Sequence, residues 1–493
     1  MGIVDRALDL LRGGKASAAR ARAQAAAFDH VRMAYDGAAI SRRTQGWRAV
    51  PSDANAEIGV SGQRLRDVAR DMSRNNPHAA RIKQVIAHNV VGTGILPSAQ
   101  SPSDTARAAL EELMKLHFDT TDIDADGVHT LYGIQNLVMQ TVIESGECLV
   151  RMRPRRAEDG LAVPFQLQVL EPDHLDESVH GRLPNGNLAH RGIEFDRLNR
   201  RVAYHLFREH PGAASLTTGL QKSSRVPAEM VAHIFRPDRA SQARGVTWFA
   251  PVIVRLRDIA DFADAQLMRQ KIAACYAAFV TTTDEPQNAA ESDRDPYPVE
   301  QMTPGMIRYL EPGESIEFGD PPKVDGFVDY MRAGYREIAA GMGISYEALT
   351  GDLSNVNFSS GRMGWLEFQR SIDAWREHML IPQFCHPVAR WFLAGAVLVT
   401  GNNAPASVWW TSPRREMINP TLEVPAAVAA IRGGLSSRSH EQRKLGFDPD
   451  DLMAEQIADN AAADEAGLIF DSDSRRVSQA GLYQGDTGGD AQQ

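Results

Sequence analysis

The spacing of apolar residues divides the chain into a helical opening, a middle of short strands and a second helical stretch. Leu65, Val68 and Met72 recur at intervals of three and four, the period of one buried helix face. Asn75-Asn76-Pro77 breaks that helix. Pro77 suits the first position of the next one, where no backbone N–H is needed. This second helix carries Ile82, Val85 and Ile86 and closes at Gly92-Thr93-Gly94. Residues 131–147 return to helical period through Ile134, Leu137, Val138, Thr141 and Val142. After Gly146 the pattern becomes that of strands, over 148–152, 165–170, 202–207 and 230–235. Pro, Gly and Asn turns such as 183–187 separate them, and the block reads as α+β.

From Gly245 the helical period resumes with Val252, Leu256, Ile259, Ala263 and Leu267, and it runs to Ala278. A helix of about thirty residues is expected, on the order of 45 Å. That exceeds the usual length in a compact core. Arg255, Arg257, Asp258, Asp261, Asp264, Arg269 and Lys271 occupy its other faces, which suits packing against copies of itself or bridging between regions. Residues 281–298 are polar, and a hairpin is expected from 306–310 and 315–318 about Pro312-Gly313. Met331, Tyr335, Ile338 and Met342 predict a short helix closed by Gly341 and Gly343. Residues 350–360 form a loop of small polar residues. A long helix follows from Gly361 with Trp365, Phe368, Ile372, Trp375 and Met379 as its core face. Pro382 is expected to end or kink it, and a further apolar helix starts at Pro387. From Gln456 the acidic, Ala/Gly/Asp-rich composition predicts disorder at the chain's end.

With 493 residues, two to four structural regions are expected. The longest apolar run, 391–400, is too short to cross a bilayer. Arg12, Lys15 and Arg20 interrupt any signal-peptide pattern. Cys148, Cys275 and Cys385 lie far apart in apolar sequence, as buried reduced thiols of a cytoplasmic protein would. The net charge of -10 is uneven. Residues 1–50 hold 9 Lys/Arg against 4 Asp/Glu, and residues 445–493 hold 11 Asp/Glu against 2 Arg. The middle is near neutral, whereas a surface built to grip nucleic acid carries a basic surplus.

Candidate chemistry is sparse. Asp122-Ile-Asp124-Ala-Asp126-Gly127 matches the first half of a calcium loop, but the twelfth position, where a bidentate Glu belongs, is Gly133. A solvated turn ahead of a helix is the better reading. Gly92-Thr93-Gly94 lacks the third glycine of a dinucleotide loop, since Pro97 stands there. His205 and His210 have no third metal ligand at a recognisable spacing and read as structural or surface residues. Gly14-Lys15 lacks the preceding glycine of a phosphate loop. Neither a Gly-x-Ser-x-Gly elbow nor a His-Glu-x-x-His pair is present. The residues argue against an enzyme and call for no cofactor.

Several strings occur in one order along most of the chain: Asn75-Asn-Pro77, Val91-Gly-Thr-Gly94, Leu170-Glu-Pro-Asp173, and His233-Ile-Phe-Arg-Pro237 leading to Gln242-Ala-Arg-Gly-Val246. Ala250-Pro251, Leu310-Glu-Pro-Gly-Glu314, Gly343-Ile-Ser-Tyr-Glu-Ala-Leu-Thr350 and Asn355-Val-Asn-Phe-Ser-Ser-Gly-Arg362 complete the set. In this the sequence resembles the lambda-type tailed-phage (or prophage) portal family. The resemblance implies a portal fold with wing, stem, clip and crown regions in a dodecameric ring around a central channel. Laid on this chain, 1–59 is an N-terminal arm, 60–244 the wing, 245–280 the outer stem helix and 281–325 the clip. Residues 326–343 are then the second stem helix, 344–360 the tunnel loop, 361–422 the helices returning through the wing, and 423–493 the crown and acidic tail.

It further implies that Thr350, Ser354, Asn355, Asn357, Ser359 and Ser360 line the channel. Asp284, Glu285, Arg294, Asp295 and Glu300 would face the terminase and connector. The implied partners are other copies of the chain, sequence-independent double-stranded DNA, the terminase large subunit, a major capsid or scaffold protein and the head-completion proteins, with no membrane. The implied location is the capsid vertex of the virion, and the host cytoplasm during assembly. The alternative is a DNA- or protein-processing enzyme of head assembly. A loop of Asn, Ser, Thr and Gly suits contact with a sliding duplex, because lysines or arginines there would bind phosphates and hold it.

Overall fold

The structure, a computed structural model, describes residue 22 and residues 42–47, 50–213, 222–274, 278–282, 314–318, 326–414, 417–473 and 475–477. The chain divides into two compact units, 1–56 and 57–493. In the first, a turn closes with Trp47 N donating to Thr44 O at 3.0 Å.

The body opens with helix α1 (Ala54–Asn75) and helix α2 (Pro77–Val91). The junction follows from local capping, as Asn76 Oδ1 accepts from His78 N and Ala79 N, with Pro77 first in the new helix. Strand β1 (Leu96–Gln100), helix α3 (Asp104–Phe118) and helix α4 (Leu131–Ser145) follow. Gly146 ends α4 in a left-handed conformation, and β2 (Glu147–Pro154) begins at once. Next come β3 (Phe165–Leu170), β4 (Gly181–Arg182), β5 (Leu188–His190), β6 (Ile193–Phe195), β7 (Arg201–Leu206), β8 (Ser224–Pro227) and β9 (Val231–Phe235). They form two antiparallel sheets, ordered β3-β2-β9 and β4-β5-β6-β7-β8. Leu149, Leu170, Leu175, Ile193, Tyr204, Leu206, Val226 and Val231 share a small core. On the other face of β2, Cys148 and Val150 join the main core built by the helices.

Helix α5 spans Ile253–Ala274, 22 residues or roughly 33 Å. It is shorter than the thirty residues expected, because 248–252 is a turn and Ala278, the expected end, already begins a strand. Strands β10 (Ala278–Thr282) and β11 (Glu314–Phe318) pair antiparallel. The expected partner of β11, 306–310, lies outside the described residues, as does Cys275. Helix α6 (Phe327–Met342) returns antiparallel to α5. A Cβ at Gly334 would come within 2.2 Å of Ile259, and one at Gly341 within 2.5 Å of Val252, so the two helices approach closely at both points.

Helix α7 (Tyr346–Thr350) and a short loop lead into helix α8 (Phe358–Trp375). Pro382 does not end this rod. It is accommodated in a π-helical segment, Arg376–Cys385, which continues into helix α9 (His386–Thr400). Wider turns suit a residue that has no N–H to give and whose ring crowds the preceding carbonyl. Leu380, Ile381, Phe384 and Cys385 are buried along it. Trp365 and Trp375, expected as buried core aromatics, are only half-buried at the core's edge.

Strand β12 (Ser407–Thr411) pairs back with β1. Helices α10 (Pro420–Arg432), α11 (Arg438–Lys444) and α12 (Pro449–Ala466) close the described chain. The acidic stretch from Gln456 is helical at its start, where α12 runs through it, and the chain's end, where disorder is expected, lies outside the described residues beyond 477. Asp448 caps the start of α12, accepting from Asp450 N at 2.9 Å, and Gly467 closes it. Cys148 and Cys385 are buried free thiols.

Candidate functional site

The expected loop is shorter than its small-residue composition predicts. Thr350 is the last residue of α7, while Ser359 and Ser360 belong to the first turn of α8. The loop proper is residues 351–357, and its polar side chains largely hold its own shape. Asp352 accepts from Ser354 N at 3.0 Å, Ser354 Oγ at 2.5 Å and Tyr346 Oη at 3.1 Å. These hydrogen bonds, that from the Ser354 hydroxyl first, hold the Asp352 carboxyl below its usual range. Thr350 Oγ1 donates to Tyr346 O at 2.9 Å and accepts from Asp352 N at 3.2 Å. Asn357 caps α8: its Oδ1 accepts from Ser360 N at 2.8 Å, and Ser360 Oγ accepts from Asn357 N at 3.2 Å. Asn355 and Ser359 are exposed and have no such task among the described residues. Leu353, 67% exposed, stands beside them. Asp352 is the one charged residue between Gly351 and Gly361.

The expected clip residues Asp284, Glu285, Arg294, Asp295 and Glu300 lie outside the described residues. Asp124 is not part of a solvated turn. It is buried and accepts from the backbone of Asp126, Val128 and His129. His205 and His210 point to different partners. His205 Nε2 is 3.4 Å from Glu194, whereas His210 Nε2 is 3.2 Å from Glu171. Glu171, Asp173 and His210 come close enough together to share a cation. Arg70 fills that role, with its Nη2 at 2.9 Å from Glu171 and 2.6 Å from Asp173.

The quoted strings meet in a second place that sequence reasoning missed. Glu147, the first residue of β2, is fully buried. Its Oε1 accepts from Arg244 Nε at 2.7 Å and lies 2.6 Å from Arg244 Nη2. Its Oε2 is 2.8 Å from Gly245 N and 2.9 Å from His233 Nε2. Burial alone would raise this carboxyl, but the Arg244 guanidinium and the His233 hydrogen bond hold it far below the carboxylate range. Burial pulls His233 down to about 4, against the pull of Glu147. Arg244 Nη1 reaches Glu177 at 3.3 Å, and Arg66 Nη2 stands 3.8 Å from the same carboxylate, so the cluster extends to α1.

The cluster fixes the chain just before α5. A Cβ on Gly245 would sit 2.1 Å from Gly146 O, and one on Gly146 2.3 Å from Val246 C, so the two glycines let the backbones touch. Thr247 Oγ1 and Trp248 N then donate to Ile143 O, a carbonyl that the end of α4 leaves unpaired. At the far side, Arg376 donates to Val90 O and Asn89 O at 2.6 Å, covering the end of α2. The available signal was a glutamate standing directly before three apolar residues, Cys148-Leu-Val150, at the head of a strand. A glutamate buried there needs a cation.

The sequence model described as "Phage portal protein, lambda family" matches residues 40–376. Among curated relatives, a "Probable portal protein" of Halomonas phage phiHAP-1 is 27% identical over 437 residues, 84% of this chain and 83% of that one. "Portal protein B" of Escherichia phage lambda is 21% identical, covering 91% of this chain and 93% of its own length. Among solved structures, the neck of a native gene transfer agent particle computed with C12 symmetry gives a TM-score of 0.44 at 16% identity. It covers 79% of this chain and 99% of that one. An HK97 family phage portal protein from Corynebacterium diphtheriae gives 0.32 at 9% identity, covering 77% of this chain and 99% of that one. The chain belongs to the lambda family of phage portal proteins.

Proposed function

We propose that the chain is one subunit of a ring-shaped portal at a capsid vertex, and that duplex DNA passes along its channel during packaging and ejection. The observation that carries this reading is the family match over 40–376, which takes in both the buried polar cluster and the loop. Within it, 60–244 and 361–422 form the wing, α5 and α6 the stem, 281–325 the clip, and 423–493 the crown. The loop at 351–357 lines the channel at its narrowest part. The clip receives the terminase large subunit and later the connector, and the wing meets capsid or scaffold protein. The protein works in the virion after assembling in the host cytoplasm.

Two physical features support the reading. Helix α5 buries Ile253, Leu256 and Ile259, but its second half carries Leu267 and Met268 at 50% and 57% exposure. The loop offers a passing duplex an amide, hydroxyls and one leucine, with no cation to hold a phosphate. The enzyme alternative is not favoured. Electron microscopy of the purified, assembled protein tests the proposal. Closed rings with a pore wide enough for B-form DNA are expected. Particles without a pore, or a chain that stays monomeric at every salt even with capsid and scaffold proteins, would overturn it.

A further inference from the structure

We infer that an arginine row on the β3-β2-β9 sheet of one copy takes up a carboxylate row on α12 of the next copy in the ring. The contact rests on the ring reading above and names which surfaces meet. On β2, Arg151 and Arg153 share the face of Leu149, about 6.7 Å apart along the strand. Arg155 extends the row, since its Nε donates at 2.7 Å to Gln166, which lies opposite Arg153 on that face. Arg151 and Arg153 have no ion pair among the described residues, and Arg151 Nε is shielded without a hydrogen-bond partner. Burial, and then the neighbouring Arg153, push the Arg151 guanidinium below its usual range. This is a half-covered cationic strip without a counter-charge.

Helix α12 is its complement. It carries no Lys or Arg, and of its side chains Pro449 alone is buried. Asp450 is bound by Arg107 at 2.9 Å, and Asp464 by Arg475 and Arg476. Asp451, Glu455 and Asp459 are exposed and have no ion pair among the described residues. They stand four apart, about 6 Å per step along one side of the helix. Like charges at that spacing destabilise a lone helix. Asp451 also lies beside Glu111, whose carboxyl burial raises and Asp451 raises further. The two rows therefore have nearly the same spacing and opposite sign, and each is disfavoured without a partner. Two different surfaces joining head to tail generate a closed ring when the rotation closes.

Charge reversal of the full-length chain tests the contact. One variant carries R151E, R153E and R155E, and the other D451K, E455K and D459K. Each alone should raise the concentration needed for ring assembly about tenfold or more, equivalent to about 1.4 kcal/mol per interface. An equimolar mixture should assemble like the natural chain, because every interface in an alternating ring then joins opposite charges. Neutral versions (Gln for Arg, Asn or Gln for the acids) should show a smaller loss, and circular dichroism confirms that each variant is folded. The inference is overturned if folded variants assemble normally, or if mixing restores nothing. It is also overturned if the arginine variant loses only affinity for a duplex oligonucleotide, which would give the row to DNA. If the natural chain forms no ring, the portal reading fails with it. A natural ring unaffected by either reversal sinks this contact alone.

Discussion

At the scale of single residues, the positions costliest to disturb are those where charge is buried. Glu147, Arg244 and Gly245 N form one unit, so removing one charge strands the other in a low-dielectric site. Glu147→Gln should cost about 3–5 kcal/mol, read from the denaturant midpoint of the unassembled chain at neutral pH. A loss under about 1 kcal/mol would mean that water reaches the cluster. His117 makes a different demand. It is fully buried near Phe118 and Phe165, and burial pulls it down to about 4. The unfolded chain takes up this proton near pH 6.5 while the folded chain still refuses it. The stabilising contribution of a neutral His117 is therefore complete above about pH 6.5 and is lost as the pH falls toward 4. Between pH 7 and 4.5, His117→Leu should lose about 2 kcal/mol less stability than the natural chain. Parallel pH profiles for the two proteins would contradict this. His233 titrates in the same window and keeps the rest of the slope in both.

At the scale of elements, the loop and its helix can be separated experimentally. Asn357 holds the first turn of α8, so Asn357→Ala should cost about 1 kcal/mol. Asn355 holds nothing among the described residues, so Asn355→Lys should leave thermal stability unchanged while slowing DNA packaging by the assembled particle. Normal packaging with Asn355→Lys would remove the loop from the channel. Elements whose ends are written locally were legible in the sequence. Asn76-Pro77 and Gly146 set helix boundaries by capping and backbone conformation; the first stands where it was read, while the helix read to Glu147 stops at Ser145 and Glu147 opens β2. The start of α5 was misplaced because Val252 keeps the apolar period while still in a turn. The pairing of β10 with β11 joins segments more than thirty residues apart, and no local pattern specifies that register. For α12, the acidic composition gives no apolar period to read, whereas the Asp448-Pro449 start and the Gly467 stop mark its ends locally. The polar cluster was illegible because each member is an ordinary charged residue until the fold brings the strings together.

At the scale of the whole molecule, the features that a lone chain leaves unresolved lie outside its core. The middle of α5 and the start of α6 meet through Phe262 against Phe327 and Tyr330, yet Leu267, Met268 and Val328 remain exposed. Helices α10 and α11 bury none of their residues, although Leu422, Val424 and Val428 are apolar. A chain that settled alone would place such residues in its core or replace them with polar ones. In the proposed ring, neighbouring copies would cover them. Leu267→Glu with Met268→Glu should therefore leave the folded chain intact, because neither side chain supports its own core. The same pair should prevent assembly, since carboxylates would be buried without partners at every interface. Sedimentation measures both outcomes at once, as a folded species that no longer forms large particles. Rings formed as readily as by the natural chain would mean that this half of α5 faces solvent even in the assembly, and the stem would then have to be held together elsewhere.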